Sequence, residues 1–207
     1  MIAIIDYGVG NLFSLQSSLK YIGEEAAVTA DPAQIEAADR IILPGVGAFE
    51  DAARKLRESG MADLVTAQAK AGKPLMGICL GMQLLFEKSY EYGEHEGLGL
   101  IKGSIVPIKD VVPENYKIPH IGWNALAFAG RAAEGGEPLF QYINEGDHVY
   151  FVHSYYGADC EDSTIARTEY GAPITAAVAD GKVYGCQFHP EKSGNVGLSI
   201  LKAFAEL

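Results

Sequence analysis

Apolar residues fall along the chain in two rhythms. Short, nearly unbroken runs at Ile2 to Asp6, Ala26 to Thr29, Arg40 to Leu43 and Leu75 to Ile78 read as strands. Runs without polar alternation belong to strands buried on both faces of a parallel sheet. Between them the spacing turns helical. Asn11 stands where a cap would start a helix carrying Leu12, Leu15, Leu19 and Ile22 on one face, and Gly23 stops it. Asp31-Pro32 is a cap followed by a first-turn proline. A helical pattern resumes near Phe49, breaks near Gly60 and ends at Gly72, and another runs from Leu80 to Tyr90. Strand and helix in regular alternation predict an open parallel sheet with helices on both faces.

The second half changes character. Ile105 to Ile108, His120 to Phe128, His148 to Tyr155 and Ile165 to Thr168 all have strand composition. Asp180-Gly181 joins Thr175–Ala179 to Lys182–Phe188, the strongest hairpin signal in the chain. A last helix, Val196 to Glu206, is expected to turn Leu198, Leu201, Phe204 and Ala205 inward. The fold class expected is therefore α/β: an open, mostly parallel twisted sheet with helices on both faces, plus an antiparallel, strand-rich second half. With 207 residues and no linker or repeat, residues 1–207 read as one domain.

Composition narrows the function. A net charge of −11 argues against nucleic acid as a ligand, since phosphate contacts need clustered Lys and Arg. No apolar run reaches the roughly 20 residues a membrane-spanning helix needs. The opening Met1-Ile2-Ala3-Ile4-Ile5 carries no basic stretch or cleavage motif and reads as a core strand rather than a leader. Cys79, Cys160 and Cys186, odd in number and far apart, suit a reducing cytoplasm and lack metal-ligand spacing. No metal and no cofactor is expected.

Sites in such sheets lie at the carboxyl ends of the strands, where four features fall: Asp6 to Asn11, Pro44 to Gly47, Cys79, and the segment from His189. Gly77-Ile78-Cys79-Leu80-Gly81 follows a strand and opens a helix. It is a nucleophile elbow with cysteine in place of serine. There the helix dipole favours a thiolate, and the Leu80 N–H points at the same spot. A cysteine nucleophile needs a base and the base an orienter. In Phe188-His189-Pro190-Glu191 the histidine and the carboxylate two residues on can meet. His153, at the end of a strand on the same edge, is the second candidate for the base. Pro44-Gly45-Val46-Gly47 offers either a plain turn or a peptide that donates a second N–H to an oxyanion.

Three motifs together, Pro44-Gly45-Val46-Gly47, Gly77-Ile78-Cys79-Leu80-Gly81-Met82-Gln83 and Gln187-Phe188-His189-Pro190-Glu191-Lys192-Ser193, resemble the class I (triad-type) glutamine amidotransferases. The likeness covers essentially the whole chain. It implies Cys79 as nucleophile, His189 as acid–base and Glu191 as orienter, working on L-glutamine through a thioester. It also implies a glutamine and oxyanion pocket bordered by Gly45, Val46, Gly47, Leu80, Gln83, Ser154 and Tyr155. Within the family, Ile5-Asp6-Tyr7-Gly8-Val9-Gly10-Asn11-Leu12, Pro119-His120-Ile121-Gly122-Trp123-Asn124 and Tyr150-Phe151-Val152-His153-Ser154-Tyr155 resemble the glutaminase subunits of imidazole glycerol phosphate synthase, of histidine biosynthesis. That likeness implies a heterodimer with a (β/α)₈-barrel cyclase subunit, to which ammonia is channelled. Because the catalytic elements share the carboxyl edge of the sheet, that edge is the expected docking face, rimmed by the loops Tyr7 to Asn11 and His120 to Asn124, with Asn11 and Trp123 at the interface. Other readings of the same residues are a glutaminase serving another amidotransferase, a γ-glutamyl hydrolase, and a non-catalytic module that has kept the fold.

Overall fold

The opening run forms β1 (Ile2–Ile5), in which every residue is buried. Ile2 and Ile4 pack into one core and Ala3 and Ile5 into a second on the opposite face. This two-sided burial is why the run carries no polar alternation. The computed structural model describes residues 1–207. The chain continues through α1 (Leu12–Tyr21), β2 (Ala26–Thr29), α2 (Pro32–Ala37), β3 (Arg40–Gly45), α3 (Phe49–Glu58), α4 (Met61–Lys70), β4 (Leu75–Cys79) and α5 (Leu80–Leu84). Next come β5 (Phe86–Ser89), β6 (His95–Glu96), β7 (Ile101–Pro107), β8 (His120–Ala125), β9 (Ala127–Phe128), α6 (Gly130–Ala133), β10 (His148–His153) and β11 (Tyr155–Ala158). The last elements are β12 (Thr164–Glu169), β13 (Pro173–Asp180), β14 (Val183–Cys186) and α7 (Gly194–Ala205).

The main sheet runs β2-β1-β3-β4-β14-β13-β12-β9. It is parallel from β2 to β14 and antiparallel from β14 to β9. Helices cover both faces. Leu15 and Leu19 of α1 and Leu201 and Phe204 of α7 pack against Ile2, Ile4 and Ile42. Phe49, Leu56 and Val65 of α3 and α4 pack against Ala3, Ile5 and Ile41 on the other side. Side chains of this size contribute about 1.5–3 kcal/mol each when fully buried. Two smaller sheets, β10-β8 and β11-β7-β5-β6, sit beside the main one. No helix is long and apolar enough to cross a membrane.

The structure departs from the sequence pattern in particular places. The helix expected over Leu80 to Tyr90 stops after Leu84, and Phe86–Ser89 is a strand paired with β7 and β6. Leu80 to Phe86 is buried throughout, so the residues give no helical polar face by which to judge their period. A strand is favoured because Phe86 seats its ring over Gly157, where an added Cβ would lie 2.5 Å from the ring carbon Cζ. The long runs His120 to Phe128 and His148 to Tyr155 each divide in two. β8 and β10 pair with one another, β9 joins the main sheet at β12, and β11 joins β7. In the final helix Leu198 is only partly buried, and Ile200 takes the inward place beside Leu201 and Phe204. Asn11 does precede α1, but its side chain makes no capping bond.

Candidate active site

Cys79 ends β4 and precedes α5 with φ 54° and ψ −112°. Positive φ in a residue that bears a Cβ is strained, and here it aims the side chain off the sheet edge. The flanking glycines make this turn possible. A Cβ on Gly77 would lie 2.6 Å from the Gly81 carbonyl oxygen, and one on Gly81 would run into the carbonyl of Leu43. The sulfur lies 4.0 Å from the Val152 carbonyl and 3.9 Å from Nε2 of Gln187, which donates toward it. Gln187 is held in turn, because its Oε1 accepts from Gln83 Nε2 at 3.0 Å, and that same nitrogen approaches the Tyr155 carbonyl at 3.2 Å.

His189 follows β14, and Pro190 starts a single 3-10 turn that folds the next carboxylate back onto the ring. His189 Nδ1 donates to Glu191 Oε1 at 2.8 Å, with both side chains 3% exposed. That bond fixes the tautomer and leaves Nε2 for the sulfur. Burial alone pushes the imidazole pKa down. The Cys79 thiol beside it and the hydrogen bond to Glu191, with the charges of both, overcome this and raise it to about 9. The backbone is anchored as well: His189 N–H donates to Tyr150 O at 3.0 Å, and Ser193 Oγ bridges His189 O and Tyr150 N.

His153, the other histidine on this edge, has both ring nitrogens engaged elsewhere. Nδ1 meets the Tyr155 carbonyl at 2.8 Å and Nε2 meets His120 Nδ1 at 3.0 Å. Because a carbonyl only accepts, Nδ1 carries the proton and Nε2 offers its lone pair to His120. Burial pushes this imidazole down to about 3, helped by the positive charge that His120 or His189 would carry, against the pull of the Tyr155 carbonyl. It is a neutral strut under the pocket wall, not a base aimed at the sulfur.

A pocket of about 400 Å³ opens over Cys79. Of the residues expected to border it, Val46, Gly47, Leu80, Gln83, Ser154 and Tyr155 line it together with Cys79 and His189. Gly45 lies instead beneath the elbow. A Cβ there would be 2.7 Å from Gly81 N, so its role is close packing and not pocket lining. The N–H groups of Val46 and Gly47 find no acceptor within the chain, and Leu80, as first residue of α5, has no helical acceptor for its own. Glu91 and Lys192 also reach the pocket, and no sequence spacing pointed to either. Glu91 sat unremarked between Tyr90 and Tyr92, yet its Oε2 accepts from Phe49 N at the start of α3 at 2.6 Å. Trp123 is 53% exposed on β8, away from the pocket, with its ring edge-on to Tyr150 at 6.0 Å between centroids. Cys160 and Cys186 are buried, and burial raises both thiol pKa values.

A strained cysteine at a strand–helix elbow, a histidine–glutamate pair beside it and unpaired N–H groups around one pocket are the parts that nucleophilic acyl chemistry by a thiol requires. Residues 3–206 match the family model for class I glutamine amidotransferases, and the chain belongs to that family. It is 50% identical to the imidazole glycerol phosphate synthase subunit HisH of Caldanaerobacter subterraneus subsp. tengcongensis, covering 100% of this chain and 98% of that protein. The HisH subunit of Lactococcus lactis subsp. lactis is 48% identical over 99% of this chain and 98% of its own length. Among solved structures, one described as a crystal structure of glutamine amidotransferase superposes with a TM-score of 0.75 at 21% identity, covering 100% of both chains. PurLQS from Thermotoga maritima superposes with a TM-score of 0.73 at 20% identity, covering 99% of this chain and 97% of the matched chain. At these identities the two structures speak for the fold alone.

Proposed function

We propose that the chain is the glutaminase subunit of an imidazole glycerol phosphate synthase, with Cys79, His189 and Glu191 as its catalytic triad. The observation that carries this reading is the meeting of Cys79 and His189 in one pocket, with Glu191 bonded to the far side of the His189 ring. Glutamine enters with its side-chain amide over Cys79. The carboxylate of Glu91, steadied at the N-terminus of α3, takes the substrate's α-ammonium, and Lys192 is the cation available to its α-carboxylate. The thiolate attacks the amide carbon, and the carbonyl oxygen becomes an oxyanion within reach of backbone N–H groups from Leu80 and the Val46-Gly47 turn. Imidazolium His189 gives its proton to the departing nitrogen, and ammonia leaves a γ-glutamyl thioester. His189, now neutral, takes a proton from water as that water attacks the thioester, and glutamate leaves with the thiolate restored. Glu191 holds the ring's orientation throughout.

Ammonia that reached open water would be protonated and lost to the acceptor, so the site works against a second protein, the cyclase subunit of a heterodimer in the cytoplasm. The docking face proposed is the sheet edge that carries Cys79. Val46 at that edge is 43% exposed, and the proposed face extends onto β8, where Ile121 and Trp123 are 58% and 53% exposed, apolar residues on an otherwise acidic chain. Trp123 is also connected to the chemistry. Its partner across the ladder, on β10, is Tyr150, whose carbonyl accepts the His189 N–H. Asn11, at the start of α1, belongs to the same edge. The test is ammonia release from free glutamine by the chain alone, with the cyclase, and with the cyclase and its ligand. The expected result is a slow chain accelerated by at least about tenfold, with Trp123→Ala folding normally but binding or responding less. Equal rates with and without the cyclase, or a Trp123→Ala chain that binds and responds as the parent does, would overturn the docking assignment.

A further inference from the structure

Glu191 is half satisfied. Oε1 is committed to His189, whereas Oε2 is fully buried and receives no hydrogen bond from the chain. A buried carboxylate oxygen calls for a donor, and in native interiors such a group is nearly always paired with protein or with an ordered water. Beside it lies a cavity of about 10 Å³, the room that one water molecule requires. Asn11, Leu15, Pro44, Gly45, Val46 and Ile78 wall this cavity together with the His189–Glu191 pair.

Of those side chains only Asn11 has an uncommitted N–H donor, and the unpaired backbone N–H of Val46 is the one assigned above to the oxyanion. Leu15, Pro44 and Ile78 are apolar, and the His189 Nδ1 proton is already spent on Oε1. Asn11 occupies the position before α1 where a side chain normally caps the helix, yet it accepts nothing from the first turn. It lines the cavity instead. The preceding residue holds it there: Gly10, at φ 127°, brings the chain so close to Pro44 that an added Cβ would sit 3.1 Å from that ring. Apart from His189, the titratable group that feels the Glu191 charge is Cys186, whose thiol burial keeps neutral. It presents no competing charge.

We propose that Asn11 is a positioning residue for the acid–base pair: its amide donates to Glu191 Oε2 through one water held in this cavity, fixing the carboxylate plane and so the His189 ring. The proposal rests on Glu191 being the orienter of His189. It gives the start of α1 a role in the chemistry separate from docking.

The test reads the proton between His189 Nδ1 and Glu191 by NMR in the isolated chain, with its downfield resonance assigned by its disappearance in Glu191→Gln, beside the kinetics of glutamine hydrolysis. Asn11→Leu removes the donor, Asn11→Asp keeps the shape and adds a like charge, and Asn11→Ser retains a small donor. The expected resonance broadens through faster exchange with water in Asn11→Leu and Asn11→Asp and stays sharp in Asn11→Ser, and kcat for glutamine falls several-fold in the first two with KM little changed. A resonance and a kcat unmoved in both Asn11→Leu and Asn11→Asp overturn the proposal while leaving the triad intact. If instead Glu191→Gln leaves the His189 titration unchanged, the orienter role itself is wrong and the proposal falls with it.

Discussion

Cys79→Ser lowers glutamine turnover by about 10⁴- to 10⁶-fold, the range seen when a nucleophile is removed from an acting triad. The serine oxygen matches the sulfur in shape, so the elbow with its φ of 54° is retained and the fold should be unaffected. What is lost is acidity. The ring that shares a proton readily with a thiol cannot hold an alkoxide at neutral pH. Circular dichroism and thermal unfolding should show a protein indistinguishable from the parent, while ammonia release falls to background. A serine variant that keeps even a tenth of the activity means that another group attacks the amide. Cys160 and Cys186 are poor alternatives: each is buried, and each has its thiol stabilised against ionisation by that burial.

His189→Ala should cost about as much, because it removes the proton donor and acceptor together, whereas Glu191→Gln should cost about 10²- to 10⁴-fold by loosening a base that is still present. The two also differ in pH dependence. With the His189 pKa raised to about 9, the imidazolium persists through neutral pH, and kcat/KM for glutamine falls as pH rises through that value. The Glu191 charge is one of the causes that raise it. Its removal lowers the pKa, so the alkaline limb of Glu191→Gln must move to lower pH. The α-ammonium of glutamine titrates in the same region but identically for both enzymes, so the displacement between the two profiles is the readout. An alkaline limb that stays put, or a His189→Ala chain that works while His153→Ala does not, contradicts the assignment of the base.

The parallel half of the fold was readable because its physics is local. The runs Ile2 to Ile5 and Leu75 to Ile78 are apolar on both sides, and Gly23, Gly60 and Gly72 punctuate the helices between them. The geometry around Cys79 and His189 was readable for a similar reason: a turn as tight as Gly77 to Gly81 tolerates little besides glycine, and His189 meets Glu191 across a single proline. The β5 strand was not readable, since Leu80 to Phe86 is buried whichever way it folds and only Gly157, far along the chain, decides the matter. Nor were the breaks at Ser154 and Leu126 visible. Each divides a run of good strand residues between two sheets, a choice made by distant partners. Glu91 was missed because its place is set by the Phe49 N–H on another helix. His153 looked like a base on sequence, and only its engagement with His120 and the Tyr155 carbonyl removes it from consideration.

The most direct test of the central claim is to catch the acyl-enzyme. Enzyme turning over glutamine, supplied with the cyclase where the chain alone is slow, is quenched in acid, digested and mapped by mass spectrometry. A γ-glutamyl adduct should be found on the Cys79 peptide, with the Cys160 and Cys186 peptides unmodified, and Cys79→Ser should yield neither adduct nor ammonia. Ammonia produced with the adduct on a different residue, or produced at the parent rate by Cys79→Ser, would contradict the thioester mechanism at this site.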